Sequence, residues 1–178
     1  MRVLGLDPGS RRTGWGIVER QGNAYRSGAN GCIVPPAGAT LPERLHHIAR
    51  EAGELLDRHA PDAVVVEEAF HHESVRSTLV LGHVRGALIV TAAARGVAIA
   101  EYSPREIKLS VVGNGGAAKE QVAFMVRRIL GLAQAPQADA ADALAGALCH
   151  LTRARWNPPR AATPASRRLE ALLARSAR

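Results

Sequence analysis

Several protein classes are excluded by what this sequence has little of. Cys32 and Cys149 are the only cysteines among 178 residues. They stand far apart and lack the paired spacing of a zinc site, so the chain has no disulfide framework or structural metal cluster, and each thiol reads as a small buried hydrophobe. No run of eighteen apolar residues occurs, and the chain enters a strand-like stretch directly instead of through a basic-then-apolar leader. A membrane-spanning or secreted protein is therefore not expected, and the chain reads as cytosolic. Lysine is nearly missing, with Lys108 and Lys119 set against 21 arginines. The length suits one ordinary domain with its own core.

Positive charge is unevenly placed. The formal net charge is +7, yet residues 1–150 hold 16 Lys and Arg against 15 Asp and Glu, leaving +1. Residues 151–178 hold seven arginines against Glu170 alone, leaving +6. A domain over residues 1–155 followed by a basic Pro/Ala/Arg-rich tail over 156–178 is expected, and composition alone fits that tail to a solvated extension or to a nucleic-acid arm. A nearly neutral body argues against nucleic-acid binding unless several of its acids are gathered in one place and neutralised by cations.

The order of elements suggests such a place. Arg2 to Asp7 reads as a strand that stops at Asp-Pro-Gly-Ser, a turn in which Pro presets φ. Gly14 to Arg20 and Ala24 to Pro35 follow as strands joined at Gln-Gly-Asn. Leu41 to His59 carries apolar residues at three-and-four spacing and predicts an amphipathic helix. Ala63 to Glu67 is a β-branched run fitting a strand buried on both faces. Helical patterns over Ser74 to Arg95, from Pro104, over Ala118 to Leu130 and over Ala138 to Arg153 alternate with a strand over Val97 to Tyr102 and a Gly113 to Gly116 loop. An antiparallel opening followed by helix-strand crossovers implies an α/β fold, a mixed five-stranded central sheet flanked by helices. Sheets of this kind place sites at the carboxyl ends of their strands, where Asp7 and Glu67 both fall.

The third and fourth acids, Asp139 and Asp142, are three apart on an Ala-rich helix and so share one face. Small residues around them let that helix lie close to the sheet. Taken singly, a strand-end acid is an ordinary turn residue and an Asp near a helix start is an ordinary cap. Taken together, the four suit phosphodiester cleavage, in which hard oxygen ligands hold divalent cations that position water and offset developing charge.

Three blocks carry a family resemblance: Asp7-Pro-Gly-Ser10-Arg-Arg-Thr13-Gly14, Val66-Glu67-Glu68-Ala69-Phe70 and Gln137-Ala-Asp139-Ala-Ala-Asp142-Ala-Leu144-Ala145. In that order and at these intervals they resemble the signature blocks of the RuvC family of bacterial Holliday-junction resolvases. The likeness runs from residue 1 to about 152 and includes Leu81-Gly82-x-x-Arg85-Gly86 and Val111-Val112-Gly113. It implies a ribonuclease H-like fold and a homodimer with two active sites. The activity it implies is that of a structure-specific endodeoxyribonuclease, making paired symmetric nicks in a four-way junction during DNA recombination and repair. By the same resemblance Asp7, Glu67, Asp139 and Asp142 are catalytic and bind Mg²⁺, two ions per active site, with Mn²⁺ able to substitute. A branch-migration helicase complex of RuvA and RuvB is the implied partner. Some relatives carry His where this chain has Asp139, a departure that leaves that ligand the least fixed of the four.

DNA contacts are expected from Ser10, Phe70, Arg76, Lys108 and Lys119, each with a plainer alternative. The two lysines flank the Gly113 to Gly116 loop and match family lysines that handle DNA, or they are solvated surface charges. Phe70 either stacks on an unpaired base or packs in the core. Arg76 is a candidate phosphate contact, Ser10 either donates to phosphate or closes its own turn, and His71 and His72 read as exposed loop residues. Leu79, Gly82 and Gly86 form a smooth helix stripe fit for a dimer contact or for packing on the sheet. Among rival classes, an actin-like or sugar-kinase-type ATPase shares the opening Asp-x-Gly turn but needs a second phosphate loop, an adenosine loop and about twice the length, and a DNA-binding adaptor without activity would keep a carboxylate cluster that repels phosphate. A nuclease of the same fold acting on RNA or another branched substrate remains open at the level of motif chemistry.

Overall fold

The computed structural model describes residues 1–68 and 74–156, apart from the side chains of residues 155 and 156. Phe70, His71 and His72 lie outside the described residues, as do residues 157–178 of the expected tail. Five strands form one sheet: β1 (Arg2–Asp7), β2 (Thr13–Gln21), β3 (Ala24–Ile33), β4 (Ala63–Glu67) and β5 (Ala98–Tyr102), in the order β3-β2-β1-β4-β5. The first three pair antiparallel and β4 and β5 join parallel, giving the mixed sheet expected. Five helices complete the chain: α1 (Leu41–His59), α2 (Val75–Ala93), α3 (Pro104–Val112), α4 (Lys119–Leu130) and α5 (Ala138–Trp156). None of the described helices is long and apolar enough to cross a membrane.

Element boundaries depart from the sequence pattern for local reasons. Strand β3 stops at Ile33, before Pro35 and Pro36, which have no N–H to give a ladder. Val97 does not open β5, because its N–H is bonded to the Ala92 carbonyl at 3.2 Å in the turn that ends α2. Helix α3 starts at Ser103, which forms a capping box with Glu106 and is followed by Pro104 at the first helical position, and ends at Gly113 with φ 80°. Helix α5 runs three residues beyond Arg153, which pairs with Glu106 at 2.7 Å and lies 5.2 Å from the Tyr102 ring centroid. Cys149 is buried as expected, whereas Cys32 is partly exposed near the open edge of the sheet and donates to Gln137 Oε1 at 3.2 Å.

The pleat sorts side chains between two cores. Leu4, Leu6, Val64 and Val66 face α1 and α2, while Val3, Ala63 and Val65 face α3, α4 and α5. Asp7 and Glu67 continue the second series, so period-two alternation sends both acids to the α5 side. Helix α5 is buried almost all round, with Ala140, Ala141, Ala143, Leu144 and Ala147 each at most 2% exposed. It sits directly on glycine. Gly5 and Gly16 are cross-strand partners and Gly14 opposes Asp7. A Cβ at Gly5 would overlap the Ala143 carbonyl, and one at Gly14 the Asp139 carbonyl.

Candidate active site

Because α5 lies so close, the carboxyl ends of β1 and β4 meet the first turns of that helix. Asp7, Glu67, Asp142, Lys108 and Lys119 line one cavity of about 490 Å³, bounded further by Glu68 and by Thr78 and Leu81 of α2. The turn after Asp7 is closed by buried Thr13, whose hydroxyl donates to the Gly9 carbonyl at 2.8 Å. Ser10, offered above as a possible closure, makes no hydrogen bond to any described residue and stands partly exposed beside that turn. Glu67 is fixed by the last pair of the β4–β5 ladder, opposite Tyr102, and the next peptide continues it, the Glu68 N–H donating to the Tyr102 carbonyl at 2.9 Å.

The cavity is short of positive charge. Burial, and then the charges of Glu67, Asp142 and Asp139, push the half-buried Asp7 carboxyl up to about 8 from its ordinary 3.8, with Lys119 opposing. Glu67 is pushed up to about 7, by burial first and by Asp142 second, against Lys119 and Lys108. The Lys119 ammonium lies 3.1 Å from Asp142 Oδ2, and that carboxylate is the main reason its own pKa is raised, Asp7 and Glu67 adding to it. Asp139 is placed differently from the other three acids. It stands on the rim, with Arg12 Nε 3.6 Å from its Oδ2, and does not line the cavity. Among the described residues no three acidic, His or Cys side chains close into a coordination shell as they stand. Three hard carboxylate donors around one cavity, those of Asp7, Glu67 and Asp142, are nevertheless a donor set suited to a small divalent cation.

The sequence-derived DNA contacts divide. Lys108 and Lys119, the two lysines of the chain, both face the cavity. Arg76 is exposed at the start of α2 and pairs with no described residue. The folded chain adds three contributors. Glu68, adjacent to Glu67, is a further acid at the cavity wall; Thr13 holds the turn; and Gly5, Gly14 and Gly16 form the seat of α5. For the glycines the sequence does hold a signal, since Gly5, Gly14 and Gly16 interrupt otherwise β-forming runs at one pleat face.

A mixed five-stranded sheet in this order, with acids at the ends of its two central parallel strands and a third on a helix laid across them, defines a ribonuclease H-like protein of the carboxylate nuclease class. The family profile of the crossover junction endodeoxyribonuclease RuvC matches residues 3–150. A RuvC protein of Hyphomonas neptunium is 50% identical over 149 residues, covering 84% of this chain and 89% of the relative. One of Alkalilimnicola ehrlichii is 50% identical over 153 residues, covering 86% and 92%. The structure of Thermus thermophilus RuvC in complex with its Holliday junction substrate is similar with a TM-score of 0.83 at 39% identity, over 88% of this chain and 96% of that one. The chain belongs to the RuvC family of crossover junction endodeoxyribonucleases.

Proposed function

We propose that this chain resolves four-way DNA junctions by paired, symmetric, metal-dependent nicks. The observation that carries this reading is the meeting of Asp7, Glu67 and Asp142 with Lys108 and Lys119 in one open cavity at the carboxyl ends of β1 and β4. In this reading Asp7, Glu67, Asp142 and, from the rim, Asp139 hold Mg²⁺, two ions per site, with Mn²⁺ able to substitute. Bound there, the cations supply an activated water and compensate charge on the attacking and leaving oxygens. The protein's own contribution is positional. Strand ends fix two carboxylates, α5 fixes two more, and the lysines draw a phosphate toward a cluster that would otherwise repel it. Residues 1–155 carry the activity.

The test is incubation with a synthetic mobile four-way junction, a linear duplex and an RNA/DNA hybrid, each with Mg²⁺ or EDTA. Symmetric nicks confined to the junction and abolished by EDTA are expected; cleavage of the duplex or hybrid at an equal rate would overturn junction specificity. Lys119→Ala is expected to slow nicking about 10²-fold, by analogy with loss of one transition-state donor. It should also reduce the slope of log affinity against log salt by about one. An unaltered slope measured by fluorescence anisotropy would make Lys119 a bystander to phosphate.

A second copy of the chain fits this reading, since two identical sites match the symmetry of a junction. Helix α2 offers the surface. Val84, Leu88 and Ala92 bury toward the sheet, while Val75, Leu79 and Val90 stand 79%, 60% and 67% exposed. Gly82 and Gly86 share that outer face, with open space where their Cβ atoms would be. Packing on the chain's own sheet thus accounts for the opposite side of α2, and the Leu79-Gly82-Gly86 stripe is left for a partner helix at close range. Leu79→Arg is expected to convert a dimer to a monomer in sedimentation velocity and to replace paired nicks by single ones, with helix content unchanged. Arg76 on the same helix and Phe70 before it would then address DNA, and the RuvA and RuvB branch-migration proteins would deliver it.

A further inference from the structure

Asp139 and Asp142 share one face of α5, yet only Asp142 lines the cavity. The difference lies in what holds each of them. Asp142 faces Lys119 across the cavity, whereas Asp139 is engaged from outside by Arg12, on the turn between β1 and β2. Arg12 makes a second contact, donating through Nη1 to Gln137 Oε1 at 3.0 Å. The same oxygen accepts from Cys32 Sγ at 3.2 Å, so two remote chain segments converge on one side-chain amide. Gln137 is in turn tied to the helix, its carbonyl accepting the Ala141 N–H at 2.8 Å. The guanidinium therefore grips the first turn of α5 at two points, one charged and one neutral, using the planar fork that arginine has and lysine lacks.

From this geometry we infer that Arg12, with Gln137, is a positioning residue for Asp139: a clamp on the rim that holds the fourth carboxylate off the cavity and competes with a divalent cation for it. The inference rests on the reading of the four acids as cation ligands. The clamp is built to exchange. Arg12 and Asp139 side chains are 49% and 39% exposed, so water screens their attraction and a doubly charged ion can outbid the guanidinium for Asp139. Asp142, paired with Lys119, has no such outside grip among the described residues, and the two aspartates of one helix face join a cation on different terms.

Calorimetric titration of Mn²⁺ into the full-length, metal-free protein without DNA tests this directly. Arg12→Ala is expected to bind the ion about two- to fivefold more tightly, as the loss of a screened ion pair predicts. Arg12→Lys should fall between the two, having charge without the fork. Arg11→Ala, a loss of equal charge one residue away, should leave the affinity unchanged. Arg12→Ala combined with Asp139→Asn should bind no more tightly than Asp139→Asn alone. Equal or weaker binding by Arg12→Ala, or a gain that persists when position 139 already carries the Asp139→Asn change, overturns the clamp while leaving the nuclease reading intact. Absence of any Mn²⁺ binding by the unaltered protein overturns both.

Discussion

Asp7→Asn is expected to lower the nicking rate by about 10³-fold or more while leaving junction binding in place, because it removes one of the carboxylates proposed to hold the cations without touching the lysines. The same change is expected to stabilise the metal-free protein. Asp7 has its folded pKa raised from 3.8 to about 8, so the native state prefers the neutral acid and ionisation at neutral pH works against folding. With the pKa higher in the folded state, stability is fully present below about pH 4 and is lost as pH climbs through about 8. Glu67, raised from 4.5 to about 7, acts in the same direction. Chemical denaturation of the metal-free chain should therefore give a lower midpoint at pH 8.5 than at pH 5.5. The Asp7→Asn variant should lose the larger share of that decline, a gain of about 1–3 kcal/mol at pH 8. Saturating Mg²⁺ should lift the unaltered protein most at high pH, where the ion binds carboxylates already free of protons. A variant that still nicks at the normal rate would remove Asp7 from the site, and one with an unaltered pH profile of stability would overturn the raised Asp7 pKa as its source.

Much of this arrangement is legible in the sequence because it is periodic. The β-branched run ending at Glu67, the Pro-Gly turn after Asp7 and the three-residue interval between Asp139 and Asp142 each specify a local geometry that tertiary structure leaves alone. Joining them into one site requires the family blocks, since no local rule says that the end of β1 faces α5. Two features are not written locally. Helical spacing groups Asp139 with Asp142, which fixes a shared face but not what stands beside it; Arg12 is remote in sequence and draws Asp139 to the rim. The exposed side of α2 stays open in the sequence because a helix that is apolar around most of its circumference carries no directional signal, and only its packing reveals which face meets the sheet.

Gly5→Ala is expected to be among the most damaging single-methyl additions in the chain, although glycine to alanine within a strand ordinarily favours folding. The added Cβ would overlap the Ala143 carbonyl, a backbone atom of a helix buried on nearly all sides, and neither partner can yield without lifting α5 from the sheet. A loss of about 3 kcal/mol or more is expected in urea unfolding, a large part of a total stability of about 5–15 kcal/mol. Gly14→Ala meets the Asp139 carbonyl in the same way. Gly16→Ala provides the internal comparison, because its Cβ would first meet side-chain atoms, Leu144 Cδ2 and Cγ at 2.6 Å, and the buried Leu144 side chain has more room to adjust than a helix backbone carbonyl. The expected order is therefore Gly16→Ala mildest, with Gly5→Ala and Gly14→Ala severe. Nicking should fall further than stability accounts for in the severe pair, even at temperatures where both remain folded, since raising α5 carries Asp139 and Asp142 away from Asp7. Equal losses at all three positions would mean that α5 is seated by side-chain packing in general. A graded series would locate the closeness of the carboxylates in bare backbone on both sides of the contact.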